Sequence, residues 1–281
     1  MFRVDRLRFG TAGIPISTPK RSTVDGIARV RDLGLDAMEM EFVRGVNLKS
    51  ELAKKINYVA KKHDVLLTAH APYYINLNAA EKAKIEASKN RIIQSAERLH
   101  DAGGWSVVFH AGYYLKQPPG IVYQRILEAL RDIEKKLMDR GVKVWLRPEL
   151  TGKPTQFGDL EEIVKLSEEL EMVLPTIDFA HAHARNRGKC NSIEEWREML
   201  SLMEDRLGRE ALDSMHIHMS GIEYTEKGER RHLPLRESDM EWENLLKVLK
   251  EFGVKGVVIS ESPNIEEDAL LMKRKYEKTK A

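Results

Sequence analysis

A single cysteine, Cys190, in 281 residues excludes an internal disulfide and a thiolate cage, so any metal must be held by histidine and carboxylate. No apolar run reaches the length of about 18 residues that a membrane helix needs, so no membrane partner is expected. The opening residues, MFRVDRLRFGTAG, lack the apolar core of a secretory signal, and a cytoplasmic location is expected. Charge of one sign is also missing. The 46 basic and 44 acidic residues leave +2, which excludes a histone-like basic coat but not a local basic groove. What the chain has in plenty is charge of both signs, 32% of residues, with little glutamine, a balance that leans towards a thermophilic source. At 42% apolar it can bury a sizeable core, which excludes wholesale disorder.

Short apolar runs alternate with longer amphipathic segments, eight times. The spacing predicts strands at Leu7–Gly10, Ala37–Glu41, Leu66–Ala69, Ser106–Phe109, Lys143–Arg147, Met172–Ile177, Ser214–His218 and Gly256–Ser260. Several read as continuous apolar runs (VLL, VVF, VVI), as strands buried on both faces of a parallel sheet do. Between them apolar residues recur at helical spacing, as in Ile126, Leu130, Ile133 and Leu137. Asp159 and Ser192 open helices ahead of acidic first turns, and Gly103, Gly141 and Gly253 follow helical patterns just before strands. Eight strand-then-helix units with no linker or low-complexity tract predict one α/β domain over residues 1–281, a (β/α)8 TIM barrel. The open doubly wound alternative would want a G-x-G-x-x-G turn after the first strand, and GTAGIP lacks it.

In such a barrel, chemistry sits at the C-terminal ends of the strands. The third strand exits at His70, the fourth at His110, the fifth at Glu149, the sixth at Asp178 followed by His181 and His183. The seventh exits at His216 and His218, the eighth at Glu261. One histidine near a strand end is usually structural. Six consecutive strands delivering imidazole or carboxylate to one rim are costly to bury without a cation. Donors of this kind suit zinc, manganese or iron, and they outnumber the needs of one tetrahedral ion. Two or three ions sharing a bridging carboxylate would suit phosphodiester hydrolysis. Tyr73 and Tyr74, directly after His70, and Tyr113 and Tyr114, after His110, either close the barrel mouth or wedge into a base stack. Lys20, Arg21, Arg44, Arg185, Arg187, Arg230 and Arg231 are available for phosphates on the same rim.

Over essentially the whole chain these motifs resemble endonuclease IV, the zinc-dependent endonucleases acting at apurinic/apyrimidinic (AP) sites, within the xylose isomerase-like barrels. HAPYYINL resembles the segment carrying a histidine ligand and the DNA-penetrating pair, implying His70 with Tyr73 and Tyr74. FHAG is similar to the family's FHPG, implying His110. RPEL sits where the family has its bridging glutamate, Glu149. IDFAH resembles IDTCH, implying Asp178 and His181. MHIHMS resembles MHLND, implying His216, with His218 where the family has no histidine. ISES implies Glu261, and Arg44 loosely matches an arginine inserted into DNA. The family closes its third zinc site with Asp-x-His. Here His232 is preceded at that spacing by Arg230, and Glu229 lies one position off, which leaves the third ion open. The resemblance implies a monomeric hydrolase that cuts double-stranded DNA 5′ to an abasic site with two or three zinc ions, manganese being the other candidate. Glu149 and Glu261 are the expected catalytic carboxylates.

Sugar isomerases and epimerases of the same superfamily hold one metal with a Glu, Asp, His, Glu quartet. Glu149, Asp178, His216 and Glu261 meet that pattern equally well. His70 and His110, which would supply a second ion sharing Glu149, favour the nuclease, as do His232 and the tyrosine pair.

Overall fold

A computed structural model describes residues 3–279. Eight strands, Leu7–Ala12, Ala37–Glu41, Leu66–His70, Ser106–Phe109, Trp145–Pro148, Thr176–Asp178, Met215–Met219 and Gly256–Ser260, form one all-parallel sheet. We call them the first to eighth barrel strands. Their spatial order is fifth, fourth, third, second, first, eighth, seventh, sixth, so the sheet curls until its two edges meet. The fifth and sixth strands close the ring without a continuous ladder. Among the described residues the isolated bridges Leu146↔Val173 and Glu149↔Thr176 join them, with Leu146 N donating to Met172 O (2.8 Å), Leu174 N to Leu146 O (3.2 Å) and Leu150 N to Thr176 O (3.0 Å).

Long helices separate the strands: Thr23–Asp32, Ser50–His63, Lys82–Asp101, Pro119–Asp139, Leu160–Glu169, Ile193–Leu207, Trp242–Glu251 and Glu266–Lys278. Their starts follow the sequence pattern. Asp159 accepts from Glu162 N and Ser192 from Glu195 N, each within a reciprocal capping box. Each helix buries an apolar stripe against the outer face of the sheet. In Pro119–Asp139 that stripe is Val122, Ile126, Leu130, Ile133 and Leu137, all fully buried. Each such side chain contributes on the order of 1.5–3 kcal/mol.

The inside of the barrel is unusually polar. Thr11, Glu39, Thr68, Ser106, Arg147, Glu149, Asp178, His216, His218 and Ser260 are all buried, where such barrels usually stack branched aliphatics. Arg147 fills the lower end of this interior. It donates to the carbonyls of Pro175 (3.0 Å) and Ser214 (2.5 Å) and lies against the rings of Trp105 and Trp145.

The strand expectations need adjustment in five places. The third strand runs on to His70, and the fifth is Trp145–Pro148 rather than Lys143–Arg147. The sixth strand shrinks from Met172–Ile177 to Thr176–Asp178, because Pro175 has no N–H to offer a ladder. The first strand runs on to Ala12, and the seventh is set one residue later than Ser214–His218. Two short antiparallel ribbons were not anticipated. One pairs Gly112–Tyr113 with Gln156–Phe157; the other pairs Gly221–Thr225 with Gly228–Leu233.

Gly256 opens the eighth strand at φ 119°, and a Cβ there would lie 1.9 Å from Met215 O. Gly256→Ala combines a disallowed backbone with a backbone clash in the sheet, and should cost at least about 2 kcal/mol. Urea denaturation of the purified variant measures this directly; an unchanged midpoint would contradict the packing described.

Candidate metal centre

Each rim residue reaches the barrel mouth for a local reason. The third strand delivers His70 as its last residue, and the fourth and fifth place His110 and Glu149 one residue beyond their ends. Asp178 ends the sixth strand and caps the helix Phe179–Arg185, its Oδ1 accepting from His181 N at 2.7 Å. The cap fixes Asp178 and His181, three residues apart, side by side. Asp178 Oδ2 is buried without a hydrogen bond and faces His181 Nδ1 at 3.3 Å.

The buried Glu149 carboxylate is the hub. Its Oε2 lies 2.8 Å from His110 Nε2 and 3.3 Å from His70 Nε2; its Oε1 lies 3.0 Å from His218 Nδ1 and 3.4 Å from His181 Nδ1. Glu261 Oε1 lies 3.4 Å from His218 Nδ1. Ligands of one tetrahedral zinc at bonds of roughly 2.0–2.2 Å stand about 3.3–3.5 Å apart. Most of these separations therefore need little adjustment to admit ions.

Among the described residues the rim holds three overlapping groups, each with ligand atoms within 4.8 Å of one another. They are His70, His110 and Glu149; Glu149, Asp178, His218 and Glu261; and Asp178, His181 and His232. Neighbouring carbonyls orient the rings. His70 Nδ1 faces Ala71 O at 2.7 Å, His181 Nδ1 faces Leu150 O at 3.0 Å, and His232 Nδ1 faces Glu261 O at 3.2 Å. A ring N–H donated to a carbonyl leaves Nε2 as the free lone pair, the usual way a protein aims a histidine ligand.

The structure revises one ligand assignment. His216 does not join Glu149, Asp178 and Glu261; that place belongs to His218. Residues two apart on a strand share a face, so both imidazoles point inward, and His216 is the deeper. It faces Ser106 Oγ (2.8 Å) and Glu39 (3.1 Å) instead.

The ribbon Gly221–Thr225/Gly228–Leu233 settles what faces the third group. Ile222 pairs with His232, Glu223 with Arg231 and Tyr224 with Glu229, so Arg230 is a bulged, extra residue. The bulge turns Arg230 out to Glu223 and puts Glu229 on the same face as His232. Glu229 then stands 3.6 Å from His181 Nε2 and 3.9 Å from His232 Nε2. A Glu-x-x-His sequence thus presents its carboxylate and imidazole together because the bulge absorbs one residue.

Charge coupling across the hub is strong. Burial would raise the Glu149 carboxyl, yet His110 and His218 hold it well below the usual carboxylate range. Burial would lower His70, His181 and His218, but carboxylates dominate. Glu149 brings His70 up to about 9, Asp178 and Glu149 hold His181 well up, and Glu261, Glu39 and Glu149 do the same for His218. Burial, with Glu261 and Glu149 nearby, lifts Asp178 to about 7.

Tyr73 and Tyr74 are each 52% exposed at the mouth. The Tyr73 ring stands 4.9 Å from the His70 ring, over the hub, and Arg91 lies 4.4 Å from the Tyr74 ring. Tyr114 is structural, its hydroxyl donating to Glu162 at 2.7 Å. Exposed Arg44 lines a cavity of about 570 Å³ together with Arg21. The other basic candidates are partly committed. Arg185 donates to the carbonyls of Lys153 and Gln156, Arg187 pairs with Glu226, and Arg230 and Arg231 pair with Glu223. His183 pairs with Asp239, and Cys190 is buried against Met199, its thiol pushed up to about 12 by burial.

Sequence reasoning passed over two second-strand acids. Glu39 contacts His216 and His218, and the half-buried Glu41 is raised to about 8 by burial and by the charge of Glu39. The alternation of AMEME, with glutamates where an inward face should be apolar, was the available signal.

Residues 27–278 match the family model described as xylose isomerase-like TIM barrel, and the chain belongs to that family. An uncharacterized protein of Methanocaldococcus jannaschii is 48% identical over 98% of this chain and 99% of its own length. A probable endonuclease 4 of Clostridium botulinum is 28% identical, the match spanning 55% of each chain. Among solved structures, endonuclease IV from Thermus thermophilus superposes with a TM-score of 0.73 over 95% of this chain and 97% of its own, at 19% identity. A D-tagatose 3-epimerase-like protein gives 0.69 over 94% of each chain, also at 19% identity. At such identity both likenesses speak for the barrel alone. No helix among the described residues is long and apolar enough to cross a membrane.

The raised groups make a stability prediction for protein stripped of metal. His70, His181, His218, Asp178 and Glu41 all bind protons more tightly folded than unfolded, so stability falls as pH rises through their folded values. Between pH 7 and about 9 the urea midpoint of chelator-treated protein should drop. A midpoint that holds or climbs over that window would refute the coupling.

Proposed function

We propose that the protein is a metal-dependent endonuclease that hydrolyses the DNA phosphodiester on the 5′ side of an abasic site. The observation that carries this reading is the shared Glu149 carboxylate, flanked by His70 and His110 on one side and by His218, Asp178 and Glu261 on the other. A carboxylate with ligand groups on both of its oxygens is what two neighbouring ions need. Asp178 links this pair to the group of His181 and His232, with Glu229 beside it. The relatives called probable endonuclease 4 support the same direction.

The donor set, imidazole and carboxylate without thiolate, suits zinc or manganese. Bound there, such ions would generate hydroxide near neutral pH and neutralise phosphate oxygens. The chain's own residues do the rest. Glu149 holds the two halves of the centre in register, and Glu261, at the mouth, is placed to orient an attacking water. Tyr73 and Tyr74 project where a duplex laid across the mouth would present its damaged step, and an abasic nucleotide costs less to extrude than a paired one. Arg44 and Arg21 supply positive charge beside that path.

A second reading, a single-ion sugar isomerase or epimerase, is favoured by one observation. Glu149, Asp178, His218 and Glu261 form a complete four-ligand group by themselves.

Metal-replete protein should nick a duplex carrying one synthetic abasic site on the 5′ side, and a strong chelator should stop it. Interconversion of a ketose without nicking would transfer the case to the sugar enzyme. Glu149→Gln should abolish nicking while the circular dichroism of the barrel is retained. Near-native cleavage by that variant would remove Glu149 from the bridging position. Glu229→Ala should release one bound ion, counted by elemental mass spectrometry; an unchanged count would exclude the bulged residue from the third group.

A further inference from the structure

Below the rim lies a second convergence of ligands that shares only His218 with the centre proposed for cleavage. Glu39, His216 and His218 are fully buried, and their ligand atoms lie within 4.8 Å of one another. Glu39 Oε2 stands 3.1 Å from His216 Nε2, and Glu39 Oε1 stands 2.9 Å from His218 Nε2. These are hydrogen-bond distances, yet Glu39 Oε1, His216 Nε2 and His218 Nε2 are all without a hydrogen bond. Three orphaned polar atoms in a closed interior are costly, at about 1–3 kcal/mol each. A cation among them would satisfy all three.

We propose that Glu39, His216 and His218 hold a further divalent cation, of the zinc, manganese or iron class, one layer below the rim centre. The surroundings orient the ligands for it. Thr68 Oγ1 donates to Glu39 Oε2 at 2.7 Å, and Ser106 Oγ lies 2.8 Å from His216 Nδ1. With Nδ1 occupied by the serine, the nitrogen that His216 offers to an ion is Nε2. His218 stands between the two levels, with Nδ1 towards Glu149 and Glu261 and Nε2 towards Glu39. The inner ion takes the lone pair of Nε2; with a rim ion also at Nδ1, His218 would bridge the two as an imidazolate, both ring protons passing to solvent. The cavity lined by Arg21 and Arg44 also borders Glu39 and Glu41, giving a route inward. The inner site stands whether the rim cleaves DNA or isomerises a sugar, because Glu39 and His216 belong to neither rim group and His218 is shared with the rim in both readings.

Crystals grown with saturating zinc chloride and measured at the zinc absorption edge test this directly. An anomalous peak at bonding distance from Glu39, His216 Nε2 and His218 Nε2 is expected, separate from any peak at Glu149. The peak should vanish in His216→Ala while rim peaks stay; should that variant fail to fold, Glu39→Gln provides the same comparison. No peak at this position in the saturated wild type, or a peak that survives the substitution, overturns the assignment. Neither result depends on whether DNA is cut.

Discussion

A carboxylate buried among imidazoles is the constraint around which this molecule is organised. Glu149 is nearly inaccessible, and an isolated anion in that position would be prohibitively expensive. Four histidines stand within 3.4 Å of it, and in the absence of ions His70, His181 and His218 hold protons beside it. The same residues become ligands when those protons leave. Protonation and metal binding are therefore alternative solutions to one electrostatic problem, and the polar interior of the barrel follows from it.

Much of this was legible in the sequence. Parallel strands buried on both faces leave continuous apolar runs, and helices packed on one side leave a periodic stripe, so eight strands and their helices could be read with small errors at their ends. The rim residues were legible because polar groups ending apolar strands stand out. What escaped is register. His216 and His218 share a face, and no local pattern says which of the two reaches the mouth. Glu229 was noted one position off the expected spacing, but the bulge that brings it into place is a one-residue slip that depends on the partner strand of the ribbon. Glu39 and Glu41 were read as part of a strand and given no chemistry, since an acid pays for its burial only through neighbours distant in sequence.

The scaffold explains why the superfamily allows more than one chemistry here. A four-ligand group from the fifth to eighth strands is complete by itself, and the third and fourth strands add His70 and His110 beside it. Under the proposed reading, the number of ions at the mouth, rather than the fold, would separate hydrolysis of a phosphodiester from rearrangement of a sugar. The barrel offers the larger set, with tyrosines exposed above it.

The ring of strands has one weak joint, between the fifth and the sixth, where two isolated bridges replace a ladder. Glu149 and Asp178 stand at the top of those two strands, one on either side of the joint. An ion gripping both would act as a rivet across the gap. Occupancy and circumference are thereby mechanically linked: emptying the mouth would loosen the cylinder along this single line, and backbone amides of Leu146, Leu150 and Leu174 would be the first to exchange with solvent.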